Sequence, residues 1–425
     1  MRVLAFAVAA LFLQCACADD AAAKKDEQCD SKKGGKEEPF QLKFCADTCE
    51  SLKPKYAKDS VKDECKGTAR KVSSKLNILD AFKSPQATET AEDKESFKRR
   101  VFVQLNGEND GFWFSYMPGC AGALARAAAK AHGAKGEDLT VGKRLYTAMG
   151  CPLRDMSRKQ FTDIECSDRV LHLLYHLETW VWPGVHTGYS WYTDGSKMTT
   201  KSLIPKVIFV ENILSPEQAD FIIEKGKPHL QGSPEQHYSP GFEGYRTSDS
   251  AFFTDRDRGV PQDVRSRSAL LARLPQTYYC ENIQLVRYKP GQWYKQHQDY
   301  FHGWRFPDGK KPKKKVIVPN RHVTVFLYLN DDFKGGETVF PHAEHNAVQF
   351  HPQRKGMPEC SHGLAVKPVK GAAALFYSKK GNGRTQKLSS HGGCPPEEGG
   401  IKYGGNVFCW DTDSDEGFSA WRHIL

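Results

Sequence analysis

The chain has 425 residues, 39% of them hydrophobic and 26% charged, and carries a formal net charge of +10. That is the composition of a soluble globular protein, long enough for one large or two to three ordinary domains, and it excludes general disorder. The positive balance favours anionic partners, but the lysines are spread along the chain and no nucleic-acid-binding module is found, so no nucleic acid is expected among the partners.

Residues 1–18 read as a secretory signal peptide. Arg2 supplies the charged start, and residues 3–13 form an apolar run of eleven, short for a membrane span. Ala16-Cys17-Ala18 fits a small-x-small cleavage site. No other segment is long and apolar enough to cross a bilayer, so no stable membrane span is expected. Secretion implies an oxidising compartment, the endoplasmic reticulum lumen or beyond, where disulfides form. Removing Cys15 and Cys17 leaves eleven of the thirteen cysteines, an odd number that allows a disulfide-linked partner or oligomer.

Residues 19–100 read as a charged, cysteine-bearing helical region and linker. Cys29, Cys45, Cys49 and Cys65 are symmetrically spaced and are expected to staple a small helical unit, with a zinc site as the alternative. SPQATETAEDKESFKRR, residues 84–100, reads as a linker. Residues 101–203 form a middle region of unread function. Its alanine-rich stretch 121–132 is expected to be helical, and the N-terminal regions together are expected to be mostly helical.

Residues 204–412 have a different texture. VIFVEN at 207–212 is a β-rich run. A helix should follow, with Ser215 as N-cap, Pro216 at the first position and Gln218 closing a capping box. Short strand-like runs then recur, separated by Gly, Pro and Asp-Asp turns: IQLVRY, HVTVFLYL, ETVFP, HGLAVKPV and AALFYS. The reading is a mainly β catalytic domain with flanking helices, followed by a tail at 413–425.

The chemistry starts at KQHQDYF, residues 295–301. On a strand, residues two apart share a face, so His297 and Asp299 can converge on one ion. SSHGGCP places His391 ninety-four residues on. Two imidazoles and one carboxylate on one side of a six-coordinate metal leave three positions open, as in non-heme Fe(II) oxygenases, although ligand type alone leaves zinc possible. Lys402, eleven residues after His391, would suit a carboxylate clamp.

YKPGQWYKQHQDYF, RHVTVFLYLND, GGETVFP, VKPVKGAAALFYS and SSHGGCP occur in that order, with a lysine behind the last. Together with IFVENILSPEQADFIIEKGKPHL and RTSDSAFF, they resemble the prolyl 4-hydroxylase family of Fe(II)- and 2-oxoglutarate-dependent dioxygenases. The resemblance implies a double-stranded β-helix, or jelly roll. It implies Fe(II) on His297, Asp299 and His391, 2-oxoglutarate paired with Lys402 and hydrogen-bonded by Tyr288 and Thr338, dioxygen as cosubstrate, and ascorbate as reductant. Tyr294 and Arg321 match positions that line the peptide groove. The implied activity is 4-hydroxylation of proline in secretory polypeptides; hydroxylation of lysine or a small molecule, or a non-enzymatic binding subunit, are the alternatives.

The sequence departs from the family pattern in places. One extra residue precedes Lys402, Tyr403 stands where tryptophan is common, and Phe408 or Trp410 takes the place of a later tryptophan. Cys394 is left to pair with Cys360 or Cys409. The lysine-rich segment 302–320 has the position of a lid over the groove.

Overall fold

The computed structural model describes residues 65–140, 142–153, 169–233, 244–303, 318–344 and 356–421. The expected signal peptide, Cys29, Cys45, Cys49 and most of the lysine-rich segment lie outside them. No helix among the described residues is long and apolar enough to cross a membrane.

Two sheets form the C-terminal half. The larger is antiparallel throughout and runs Gln231–Gly232, Asp249–Phe252, Gln284–Tyr288, Lys402–Trp410, Arg321–Tyr328, Ala373–Tyr377, Val207–Glu211, Ser196–Ser202, Ser190–Thr193. The smaller runs Tyr294–His297, His391–Gly393, Thr338–Phe340, Leu364–Val366. Their facing sides share one core, Val286, Phe326 and Tyr328 from the large sheet and Phe340, Leu364 and Val366 from the small one. This is the jelly roll the sequence points to.

The central strand, Arg321–Tyr328, is buried along its whole length because both faces are covered. Alternation divides it: Val323, Val325 and Leu327 pack outward, while Phe326 and Tyr328 pack between the sheets. Helix Pro216–Gly226 covers part of the outer face. Ser215 and Gln218 form the expected capping box, and Ala219 and Ile222 are buried. A Cβ at Gly226 would come within 2.5 Å of Leu285 Cδ2, so the helix lies close on the sheet there.

The N-terminal half corrects three expectations. The described residues between 65 and 203 are strand-rich rather than mostly helical. A hairpin of Arg99–Leu105 and Asp110–Tyr116 anchors a six-stranded sheet, with Val170–Leu174 parallel to its first arm. The aromatic and β-branched residues of these runs suit strands, and burial on both faces hides the polar alternation that would have marked them. The alanine-rich helix does form, at Ala121–Ala131, with Leu124, Ala125, Ala128 and Ala129 turned onto the sheet.

The supposed linker is folded. Thr90 and Asp93 make a capping box for helix Ala91–Glu95, and buried Asp93 accepts from Ser115 Oγ and pairs with Arg100. Its two buried charges, Asp93 and Arg100, satisfy each other, while Glu92, Lys94 and Glu95 stay exposed, so a polar composition did not mean an unfolded linker. Cys65 bonds Cys120, which breaks up the proposed four-cysteine unit and its zinc alternative. The other described disulfides are Cys280–Cys409 and Cys360–Cys394.

The halves share one hydrophobic core, running from Phe102 and Trp113 through Trp180 and Trp182 to Val323, Val325 and Leu375. Trp182 Nε1 donates to Leu271 O at 2.8 Å, and Asn106 Nδ2 donates to Gly381 O at 3.0 Å. His322 Nε2 donates to Trp180 O at 2.9 Å. Strands Ser190–Thr193 and Ser196–Ser202 extend the large sheet, so that sheet begins before residue 204.

Candidate active site

Strand Tyr294–His297 pairs antiparallel with His391–Gly393, and the register sets His297 directly opposite His391. Asp299 lies just past the end of its strand, on a bend rather than in the strand itself. It still turns toward both imidazoles: Oδ1 is 3.6 Å from His297 Nε2, and Oδ2 is 3.7 Å from His391 Nε2. One ligand atom from each residue lies within 4.8 Å of the others, close enough to hold one ion.

The backbone fixes the tautomers. His297 Nδ1 donates to Lys295 O at 2.8 Å, and His391 Nδ1 donates to Ser389 O at 3.1 Å. Both Nε2 lone pairs are thereby left for a cation. Burial, with His391 beside it, lowers the His297 pKa to about 3 despite Asp299, so that imidazole stays neutral. Burial alone would raise Asp299; His391, His297, the Thr324 hydroxyl and Arg321 outweigh it and hold the carboxyl below its usual range. Thr324 Oγ1 donates to Asp299 Oδ2 at 2.6 Å.

Lys402 opens its strand opposite Tyr288. It is 0% exposed, and its Nζ has no hydrogen-bond partner among the described residues. The ammonium lies 5.0 Å from the Tyr288 ring centroid and 5.1 Å from that of Phe326. Burial lowers its pKa to about 7, with Glu337 opposing the shift. Thr338 Oγ1 accepts from Tyr328 Oη at 3.0 Å. Tyr288 packs against the His391 strand where Gly393 leaves room; a Cβ there would stand 3.1 Å from the Tyr288 hydroxyl.

A cleft opens over the triad, lined among others by Arg246, Tyr288, Tyr294, Arg321, Thr338 and Phe408. Tyr294 stacks on His297 with ring centroids 3.5 Å apart and planes 13° apart, and the Arg246 guanidinium sits 4.6 Å from the Tyr294 ring centroid. Burial pushes the Tyr294 phenol well above its usual range. Arg321 is buried, not a surface arginine. Its Nε and Nη2 donate to Glu281 at 2.6 and 2.8 Å, and its Nη1 donates to Asp299 O at 3.3 Å. Phe408 lines the cleft under Arg321, 3.8 Å from ring centroid to guanidinium, while Trp410 donates to Glu281 and packs on Phe418. Phe408 therefore holds the cleft position that the sequence left open between them. Cys394, three residues after His391, is tied to Cys360.

Thus the structure brings His297, Asp299, His391, Tyr288, Thr338, Tyr294 and Arg321 around one cleft, with Lys402 buried behind Tyr288 and Phe326. Sequence reasoning passed over Arg246, Glu281, Thr324, Phe326 and Tyr328. Alternation along HVTVFLYL sets Thr324, Phe326 and Tyr328 on one face, but only the tertiary pairing shows which face meets the site.

The donor set fits a divalent metal with nitrogen and oxygen ligands. The buried, unpartnered ammonium fits a cosubstrate carboxylate, since leaving such a charge unpaired is costly. The residues therefore suit both Fe(II) and a 2-oxo diacid.

Residues 283–410 match the 2OG-Fe(II) oxygenase superfamily. The chain is 34% identical over 210 residues to an Arabidopsis thaliana protein named probable prolyl 4-hydroxylase 7, covering 48% of this chain and 63% of that relative. It is 32% identical over 219 residues to probable prolyl 4-hydroxylase 6 of the same plant, covering 50% of this chain and 72% of that relative. The matched region thus spans just under two thirds of the first relative. A solved viral collagen prolyl hydroxylase from Paramecium bursaria Chlorella virus-1, in complex with 2OG, aligns at 21% identity and a TM-score of 0.34, over 48% of this chain and 95% of that one.

Proposed function

The chain belongs to the prolyl 4-hydroxylase family of 2OG-Fe(II) oxygenases, and from that premise we propose that it is a peptidyl-proline 4-hydroxylase of the secretory pathway. The observation that carries the reading is the Lys402 ammonium, buried without a hydrogen-bond partner among the described residues behind the His297–Asp299–His391 cluster. A carboxylate is the group that side chain lacks.

In this reading His297, Asp299 and His391 hold Fe(II). Fe(II), 2-oxoglutarate and dioxygen together supply the oxidant: one oxygen atom goes to a proline carbon, the other to succinate, and carbon dioxide leaves. The chain's own residues bind and orient. Lys402 neutralises the far carboxylate of 2-oxoglutarate, with Thr338 and Tyr288 hydrogen-bonding to it. Tyr294 and Arg321 border the cleft that takes the polypeptide. The Arg321 fork is held by Glu281, so it presents a fixed surface to a substrate backbone. Ascorbate as reductant, lumenal location and a disulfide-linked partner belong to the same proposal; the signal-like start and a described part whose cysteines are all disulfide-bonded support an oxidising compartment.

The test is succinate release together with mass spectrometry on one sample. Residues 19–425 receive Fe(II), ascorbate, 2-oxoglutarate and either proline-rich, collagen-like or lysine-bearing peptides, with His297→Ala as blank. Peptide-dependent succinate and hydroxylated proline are expected. Hydroxylated lysine, or succinate with no proline product, would overturn the substrate assignment and leave the oxygenase.

A further inference from the structure

Thr324 lies on the central strand with its side chain toward the site, and its hydroxyl donates to Asp299 Oδ2 at 2.6 Å. Both side chains are buried. The two carboxylate oxygens lie almost equally close to the imidazoles, Oδ1 3.6 Å from His297 Nε2 and Oδ2 3.7 Å from His391 Nε2, but among the described residues only Oδ2 accepts a hydrogen bond. The strand cannot shift easily: Thr324 pairs with Phe376 on one side and Phe408 on the other. Asp299 is also held from behind, since its backbone oxygen accepts from Arg321, whose own fork is fixed by Glu281.

We propose that Thr324 is a positioning residue that holds Asp299 by Oδ2 and so reserves Oδ1 as the single carboxylate ligand. The inference rests on the metal-binding reading of the triad. Its consequence is arithmetic. A carboxylate giving one oxygen leaves three of six positions open, two for a chelating 2-oxo acid and one for dioxygen. A carboxylate free to chelate through both oxygens leaves two, one too few. Thr324 acts through Asp299 and touches no reactant, so its contribution is orientation of a ligand by a neighbouring hydrogen bond.

Thr324→Val keeps the branched shape and deletes the hydroxyl; Thr324→Ser keeps the hydroxyl. Co(II) binding to residues 19–425, followed by calorimetry and by visible absorption, reads the site without turnover. Thr324→Val should bind Co(II) about 10- to 100-fold more weakly and show an altered absorption band, and Thr324→Ser should restore both. Thermal melting of the metal-free chains separates fold from ligand geometry. Parental affinity and an unchanged band in Thr324→Val would overturn the proposal. So would a valine variant that fails to fold alongside a serine variant that folds but binds as weakly as a hydroxyl-free site, since Thr324 would then act by packing alone. Absence of Co(II) binding by the parental chain would instead strike the metal reading itself.

Discussion

Lys402 and Tyr288 face each other across an antiparallel strand pair, and the lysine ammonium lies 5.0 Å from the tyrosine ring centroid. Aromatic faces ease the burial of a cation but do not replace a hydrogen-bonded partner. The ligand-free site is therefore held in a costly state that a bound carboxylate relieves.

The first prediction concerns both sides of that trade. Lys402→Met keeps the length of the side chain and removes the charge. It should weaken 2-oxoglutarate binding by at least about 100-fold, the loss of one buried charge-assisted contact, while raising the melting temperature of the ligand-free chain. The pH dependence has a defined sign. The folded pKa is about 7 and the unfolded value is about 10.4, so the unfolded chain holds more protons between them. Stability of the ligand-free protein should rise as pH climbs through that window, and the methionine variant should lose that rise. Above about pH 7, cosubstrate binding should take up a proton, seen by calorimetry in buffers of different ionisation enthalpy.

Much of this site was readable before any coordinates. His297, Asp299 and His391 stand in short, chemically loaded motifs, and Ser215, Pro216 and Gln218 carry a helix start in four consecutive positions. Local grammar of that kind survives into the fold because it is satisfied locally. Phe326 and Thr324 were opaque for the opposite reason. Both strand faces are covered, so the apolar run gives no alternation to say which residues look at the site. The N-terminal sheet was hidden likewise, and Asp93 and Arg100 disguised it further by burying an ion pair, joined by strand residue Ser115, in a segment with a linker's composition. The Cys65–Cys120 pairing joins residues 55 apart, a relation that spacing within 29–65 could not disclose.

A second prediction follows from buried imidazoles. Burial lowers His172 to about 3, His297 to about 3 and His322 to about 4. Their unfolded values lie near 6.5, so below that pH the unfolded chain binds protons that the folded chain refuses. The stability of the metal-free protein is unaffected by these groups above about pH 6.5 and falls as pH drops toward 3 or 4. Each contributes a slope of up to about 1.4 kcal/mol per pH unit. His172 is fully buried and lies edge-on to Trp180. His172→Met should therefore shallow the acid limb by about that amount, measured by urea denaturation between pH 6 and 4. An unchanged slope would mean that His172 is protonated in the fold.

The third prediction tests whether the half that carries the motifs can stand alone. Its central strands turn Val323, Val325 and Leu375 outward into a core completed by Trp180 and Trp182 from the other half. Trp182 also donates from its indole to Leu271 O and from its backbone to Tyr377 Oη, and His322, two residues before Thr324 on the central strand, donates to Trp180 O. Residues 204–425 alone would lose two strands of the large sheet and expose that apolar face to water. They should aggregate or elute as an expanded species and show no cooperative melt. Trp182→Ala in the longer chain should cost about 3–5 kcal/mol through the cavity it leaves, and should lower peptide turnover and Co(II) affinity together because Thr324 sits on the braced strand. A monomeric 204–425 fragment with a sharp transition and parental kcat/KM would show that the N-terminal half is an independent attachment; loss of both in the fragment, with partial loss in Trp182→Ala, would make it part of the catalytic body.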